Sequence, residues 1–188
     1  MANLKKIFFV LVLFSLAGCG GKAGVYHDPN MDFGSIHSVA ILPIASLQGG
    51  APAAEMFRDD LENSLLATGA VYVLPSGEVG RGIMMSNMHD PASPTTDEIK
   101  KFCSMEKVNA VITGVIKEYG QVRSGGATSN VISVSLQMME GQTGRVVWSA
   151  NASLGGITIL DRLFGGGASP MNNITQKAVN DLIKKLFM

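Results

Sequence analysis

SNVISVSLQMMEGQTGRVVWSANASL, residues 129–154, is the stretch on which the fold turns. Ile132, Val134, Leu136 and Met138 alternate with Ser133, Ser135 and Gln137. A period of two with one apolar face predicts a half-buried antiparallel strand over Ser129–Glu140. Gly141-Gln142-Thr143-Gly144 reads as a turn, and Arg145–Leu154 as the returning strand of a hairpin.

Upstream the pattern changes. Val108–Gly120 is apolar on both sides as far as Ile116, and so is His37–Ile44. Such runs belong to strands covered on both faces. Pro43 cannot donate to a ladder, so it must lie at a strand end or a bulge. Between these two strands, a helix is expected from about Pro52 to Thr68, closed by Gly69. Ala54, Phe57, Leu61, Leu65 and Thr68 form its inward stripe. A strand at Val71–Leu74 ends on Pro75, and Ser76–Asn87 reads as a short helix. Thr95 and Glu98 have capping-box spacing at the start of a further helix. Strand, helix, strand, helix, strand and then a hairpin predict an α+β fold. Its sheet is mixed, partly parallel through right-handed crossovers, with helices packed on it. Gly155–Ala168 reads as a loop, and Ser169-Pro170 as the start of a last helix, Ser169 capping. Met171, Ile174, Ala178, Leu182 and Leu186 would face inward.

The amino terminus has a different purpose. Lys5 and Lys6 precede an unbroken apolar run, Ile7–Phe14, and then the small residues Ala17 and Gly18. This is the layout of a secretory signal, too short for an ordinary span of ~20 residues. Leu16-Ala17-Gly18-Cys19 resembles a bacterial lipobox. That resemblance implies cleavage after residue 18 and acylation of Cys19 on its thiol and its new amine, a lasting anchor because several acyl chains share the load. Gly20, where Asp would imply inner-membrane retention, implies the outer membrane. Residues 19–35, with Gly20, Gly21, Gly24, Pro29 and Gly34, read as a flexible tether. From Cys19 to His37 it reaches at most roughly 60–65 Å. Residues 36–188 then form a single periplasmic domain.

The 188 residues hold 15 Lys+Arg, 15 Asp+Glu and three His. Cleavage removes Lys5 and Lys6, leaving a slight acidic excess. Nucleic-acid binding is not expected of such a chain, and neither is disorder, given 46% hydrophobic residues. Cys103 becomes the lone thiol, between Phe102 and Met105, and reads as a buried small hydrophobe. His27, His37 and His89 are scattered, with no triad-like context. Met84, Met85, Met88 and His89 have helical spacing that could hold copper(I), but Met as packing filler suits a chain with 11 Met. Gly165-Gly166-Gly167 lacks the Lys-Ser/Thr ending of a phosphate loop. No catalytic residue, metal or cofactor is expected. Ile159, Leu160, Asp161, Arg162, Leu163 and Phe164 stand out instead. Apolar side chains in a glycine-rich loop either fold back on the domain or meet a partner or membrane surface.

Ser38–Ile44, Phe57–Leu66, Val108–Gly114 and above all Val134–Met139 with Gly141–Ser149, a Thr-Gly turn and a downstream Trp-Ser, resemble one bacterial lipoprotein superfamily. It includes the curli secretion lipoprotein, the LpoB-type activator of penicillin-binding proteins and the amino-terminal domain of TolB. The resemblance implies that fold over residues 36–154, no catalytic residues, and work in envelope assembly, secretion or cell-wall synthesis. It implies a membrane-tethered partner for another envelope protein, and leaves a homo-oligomer open. Gly155–Ala168 is too short for two barrel strands of ~9–11 residues, so a channel subunit is not expected. A periplasmic small-ligand carrier is the alternative, and a hydrolase a distant third.

Overall fold

The computed structural model describes residues 24–124, 127–156 and 169–188. Among them, seven strands form one mixed sheet: β1 (Val25–His27), β2 (Ser38–Ile41), β3 (Ala45–Ser46), β4 (Tyr72–Val73), β5 (Ala110–Ser124), β6 (Ala127–Glu140) and β7 (Val146–Gly155). The order across the sheet is β1-β7-β6-β5-β2-β4, with β3 also on β5. β2 pairs in parallel with β4 and β5, and β3 with β5, while β5–β6, β6–β7 and β1–β7 are antiparallel. The α+β expectation thus holds, with the parallel part where the sequence is apolar on both faces.

Four helices cover the sheet: α1 (Gly50–Thr68), α2 (Ser76–Ser86), α3 (Thr96–Glu106) and α4 (Met171–Leu186). Gly69 ends α1 at φ +63°, a conformation that glycine adopts without a Cβ penalty. The capping box of α3 is present, Thr95 accepting from the Glu98 N–H while the Glu98 carboxylate reaches back to the Thr95 N–H. Pro170, not Ser169, occupies the cap position of α4, and it makes no side-chain cap bond. Proline's fixed φ suits the first residue of a helix, but here its extended ψ of 146° places it one residue before that turn.

Two cores result. On one face, Phe57, Leu61 and Leu65 of α1 and Ile174, Ala178 and Leu182 of α4 pack on Ile112, Ile132, Leu136 and Trp148. Each large side chain fully buried there contributes roughly 1.5–3 kcal/mol. Trp148 also donates from Nε1 to the Lys185 carbonyl at 3.1 Å, holding the end of α4 to β7. On the other face, α2 and α3 bring Val79, Ile99, Phe102 and Cys103 against Ala40, Leu42 and Val111. These helices leave the β6–β7 side of that face open, where Ser133 bonds Ser153 (2.9 Å) and Ser135 bonds Asn151 (2.6 Å).

Three features depart from the sequence reading. Residues 24–35, expected within the flexible tether, belong to the fold: β1 pairs with Ala150, Ser149 and Trp148, Asp28 is buried, and Phe33–Ser35 form a 3-10 turn. β1 covers an edge of β7 that would otherwise present bare backbone groups. Residues 45–51, between the strand expected to end at Ile44 and the helix expected from Pro52, contain β3, which continues the parallel pairing past Pro43. β5 and β6 also run on past the rest of the sheet as a two-stranded arm, with Gly120 paired to Val131 and Ser124 to Ala127.

Candidate functional site

Cys19 and the Ile159–Phe164 segment lie outside the described residues. The structure fixes where the chain leaves for each. β1 is antiparallel to β7, with His27 level with Trp148 and Val25 with Ala150. Gly24 lies against the Asn151 side chain. Going toward the amino terminus, the chain therefore heads along β7 toward Gly155. Gly155 pairs with Val131 at the root of the arm. The Gly156 N–H donates to the Asn130 carbonyl (3.1 Å), and Asn130 Nδ2 donates to the Ser169 carbonyl (2.8 Å). One asparagine thus joins both ends of the 157–168 segment. Gly155 has φ +89°, and a Cβ there would collide with the Asn130 carbonyl, so only glycine lets the chain turn off β7 this close to β6.

Three things therefore share one end of the molecule: the exit toward Cys19, the base of the Ile159–Phe164 segment, and the β5–β6 arm. We call this the arm end. The β6–β7 turn, the last turns of α1 and α4, and all of α3 near Gly141 and Gly144 make the opposite end. Asn130 is the residue that the sequence did not single out. Its partners lie 26 and 39 positions away, so no local pattern marks it.

The titratable groups elsewhere are engaged in structure. Glu140 accepts from the Gln142 and Thr143 N–H groups (both 2.8 Å) and from the Thr143 hydroxyl (2.7 Å). Burial pulls its pKa up, but these three donors outweigh it and hold the carboxyl below its ordinary value. Burial first, and then the Glu140 charge, push the Cys103 thiol up to about 12, which removes it as a nucleophile. His27 stacks edge-on against Phe33, with ring centroids 5.3 Å apart. Met84 and Met85 are exposed while Met88 is buried, so they do not converge with His89 on one ligand-facing surface. Among the described residues, no three His, Cys, Asp or Glu side chains gather as a metal site, and no helix is long and apolar enough to cross a membrane.

Three hollows among the described residues bear on ligand binding, one of them a shallow depression of about 440 Å³ beside Gly114, Ser135, Gln137 and Asn151. An open cleft of about 520 Å³ lies at the opposite end, lined by Lys100, Ser104, Lys107, Asn109 and Gln142. A groove of about 160 Å³ between Leu65, Val71, Ile112, Met138 and Phe187 is more apolar. The groove is small against the roughly 300–1,000 Å³ of small-molecule sites, and the cleft, where Met31, Ile36 and Val108 lie beside the polar groups, is open to solvent and not enclosed.

No family model matches the chain, and no curated protein matches it in sequence. Solved structures do resemble it. The PelC dodecamer from Paraburkholderia phytofirmans gives a TM-score of 0.57 at 15% identity, over 86% of this chain and 94% of that one. Lipoprotein GNA1162 from Neisseria meningitidis gives 0.56 at 15%, over 80% and 98%. The LpoB C-terminal domain from Escherichia coli gives 0.48 at 14%, over 77% and 92%, too loose a likeness to carry the LpoB type over. At these identities the likeness is one of fold: the chain has the architecture of a solved bacterial lipoprotein and of a protein solved as a dodecamer.

Proposed function

We propose that the chain is an outer-membrane lipoprotein, acylated on Cys19, whose periplasmic domain docks without catalysis onto another envelope protein. Envelope assembly, secretion or cell-wall synthesis is the setting, and the curli-secretion, LpoB and TolB superfamily the proposed kinship. The observation that supports it most is the shared arm end. Five residue steps separate Cys19 from Gly24, at most ~18 Å. The segment that bears Ile159, Leu160, Asp161, Arg162, Leu163 and Phe164 leaves the fold at that same end, through Gly156 and Ser169. An anchor so short raises the local concentration of this segment at the membrane. Its partner is therefore a protein resident in that membrane, rather than one across the periplasm. The larger hollows among the described residues are open to solvent and the apolar groove is small, so none favours the carrier alternative. Self-association enters through the likeness to PelC, which was solved as a dodecamer.

A photo-crosslinking side chain at Leu160 or Phe164 in intact cells tests the docking. A discrete adduct with one outer-membrane protein is expected, lost when Cys19→Ser frees the chain. Adducts with lipid alone would sink the docking reading, and adducts with a second copy would replace it by self-assembly.

A further inference from the structure

We propose that the arm end is itself a lipid-contact surface, with the β5–β6 arm lying in the headgroup layer of the membrane that holds Cys19. The inference rests on the acylation of Cys19 and adds to it an orientation and named residues. Level with Gly24 on β7 is Asn151, and four residues on is Gly155, paired with Val131. Two residues further along β6 is Ser129, paired with Val122. These six steps place Val122 about 20 Å beyond Gly24, at ~3.3 Å per residue. The five steps from Gly24 to Cys19 span at most ~18 Å, and less unless fully extended. With the linker continuing along β7 in the direction of β1, the lipid plane that holds Cys19 would meet the arm at or before Val122.

The composition of this end suits that position. From Tyr119 to Asn130, Arg123 is the one charged residue, although charged residues make up 16% of the chain. Val122 is 38% exposed on the arm, and Leu47 is 73% exposed at its root, held there by its N–H on the Ile116 carbonyl. Lys117 and Arg123 are exposed, with Glu118 the only carboxylate between Lys107 and Glu140. Neither α1 nor α4, both of which begin at this end, has an acidic residue in its first turn. The opposite end carries both signs, with Lys100, Lys107 and Arg145 beside Asp28, Asp97, Glu98 and Glu140. A surface with apolar tips, two cations and one acid matches lipid phosphates over an acyl boundary. A two-stranded ribbon is barely stable alone in water, so a surface that covers it also accounts for its length.

The test uses the full acylated chain, extracted from membranes and reconstituted into vesicles of phosphatidylethanolamine and phosphatidylglycerol. Val122→Cys carries an environment-sensitive fluorophore, and Gln142→Cys at the opposite end serves as its reference. Cys19 is acylated and Cys103 is buried, so neither takes the label. Several-fold stronger quenching by nitroxide-bearing lipids is expected at position 122 than at 142. Equal quenching at both positions would overturn the proposal. So would shielding at 122 that grows with protein density and ignores nitroxide lipid, which would mean that arms of two copies pair with each other. Cys19→Ser separates the two levels. A Cys19→Ser chain with residues 1–18 replaced by an ordinary cleavable secretory signal that still sediments with washed membranes defeats the anchor. Release of Cys19→Ser, with the Val122 label unquenched on the native anchor, defeats the lipid contact alone.

Discussion

Glu98 closes two elements with one carboxylate. Oε2 accepts from the Thr95 N–H and hydroxyl at 2.8 Å each, and Oε1 accepts from the His89 N–H at 2.9 Å. The His89 N–H comes first among the causes, followed by the two Thr95 donors, and together they hold the pKa at about 2 against an ordinary 4.5. A folded-state pKa below the unfolded one stabilises the fold above the ordinary value, and that stabilisation is lost as pH falls toward the folded one. Stability should therefore fall between pH 4.5 and 2. Glu98→Gln should lower the melting temperature at neutral pH and flatten its decline across that window, measured by circular dichroism. A variant with the same acid slope as the parent would show that this carboxylate is not the group being titrated. Thr95→Ala removes the other half of the box and should cost ~1 kcal/mol.

At the scale of elements, the sequence made most of the core legible and the edges much less so. Phe57, Leu61 and Leu65 announce α1 because a helix buries every third or fourth residue. Ile132, Val134, Leu136 and Met138 announce β6 because one face of it is covered by α1 and α4, while Ser133, Ser135 and Gln137 on the other are only half-buried among the described residues. Both signals are local. β1 has three residues and no alternation of its own, and what makes it a strand is a partner more than a hundred positions later. Glycine and proline around it suggested a tether for the same reason that they permit its turns. The arm was hidden likewise: the strand was expected to end at Gly120, yet the pairing continues to Ser124. The candidate site was legible only as a lipobox and an apolar run, whereas the closing of the 157–168 segment on Asn130 depends on tertiary pairing. Truncation tests the revised boundary. A chain starting at Gly24 should fold as stably as the longer one. A chain starting at Ile36 loses β1 and bares the β7 edge, and it should melt lower by about 2–4 °C for each kcal/mol lost and aggregate on gel filtration. Equal melting of the two would return residues 24–35 to the tether.

For the molecule as a whole, the short linker turns an address into a geometry. A long tether would let the domain sample the periplasm and face any way, whereas an acyl anchor on Cys19, as proposed, would hold the arm end within five residue steps of its membrane. In that orientation the opposite end, with Lys100, Lys107, Arg145 and the Glu98 and Glu140 caps, would face the aqueous space. On this arrangement, docking depends on proximity more than on intrinsic affinity, and linker length becomes the variable to change. Inserting about ten Gly/Ser residues between Cys19 and Gly24 triples the linker, and an effective concentration that falls as the −3/2 power of length should drop about fivefold. The insertion touches neither core nor β1, so melting and membrane attachment should be unchanged. Adducts from Leu160 in intact cells should fall by a similar factor, and nitroxide quenching at position 122 should weaken with them. Adduct yield that holds steady while that quenching falls would mean that the partner binds the domain tightly enough to dispense with the membrane. The anchor would then serve to localise the complex and not to form it.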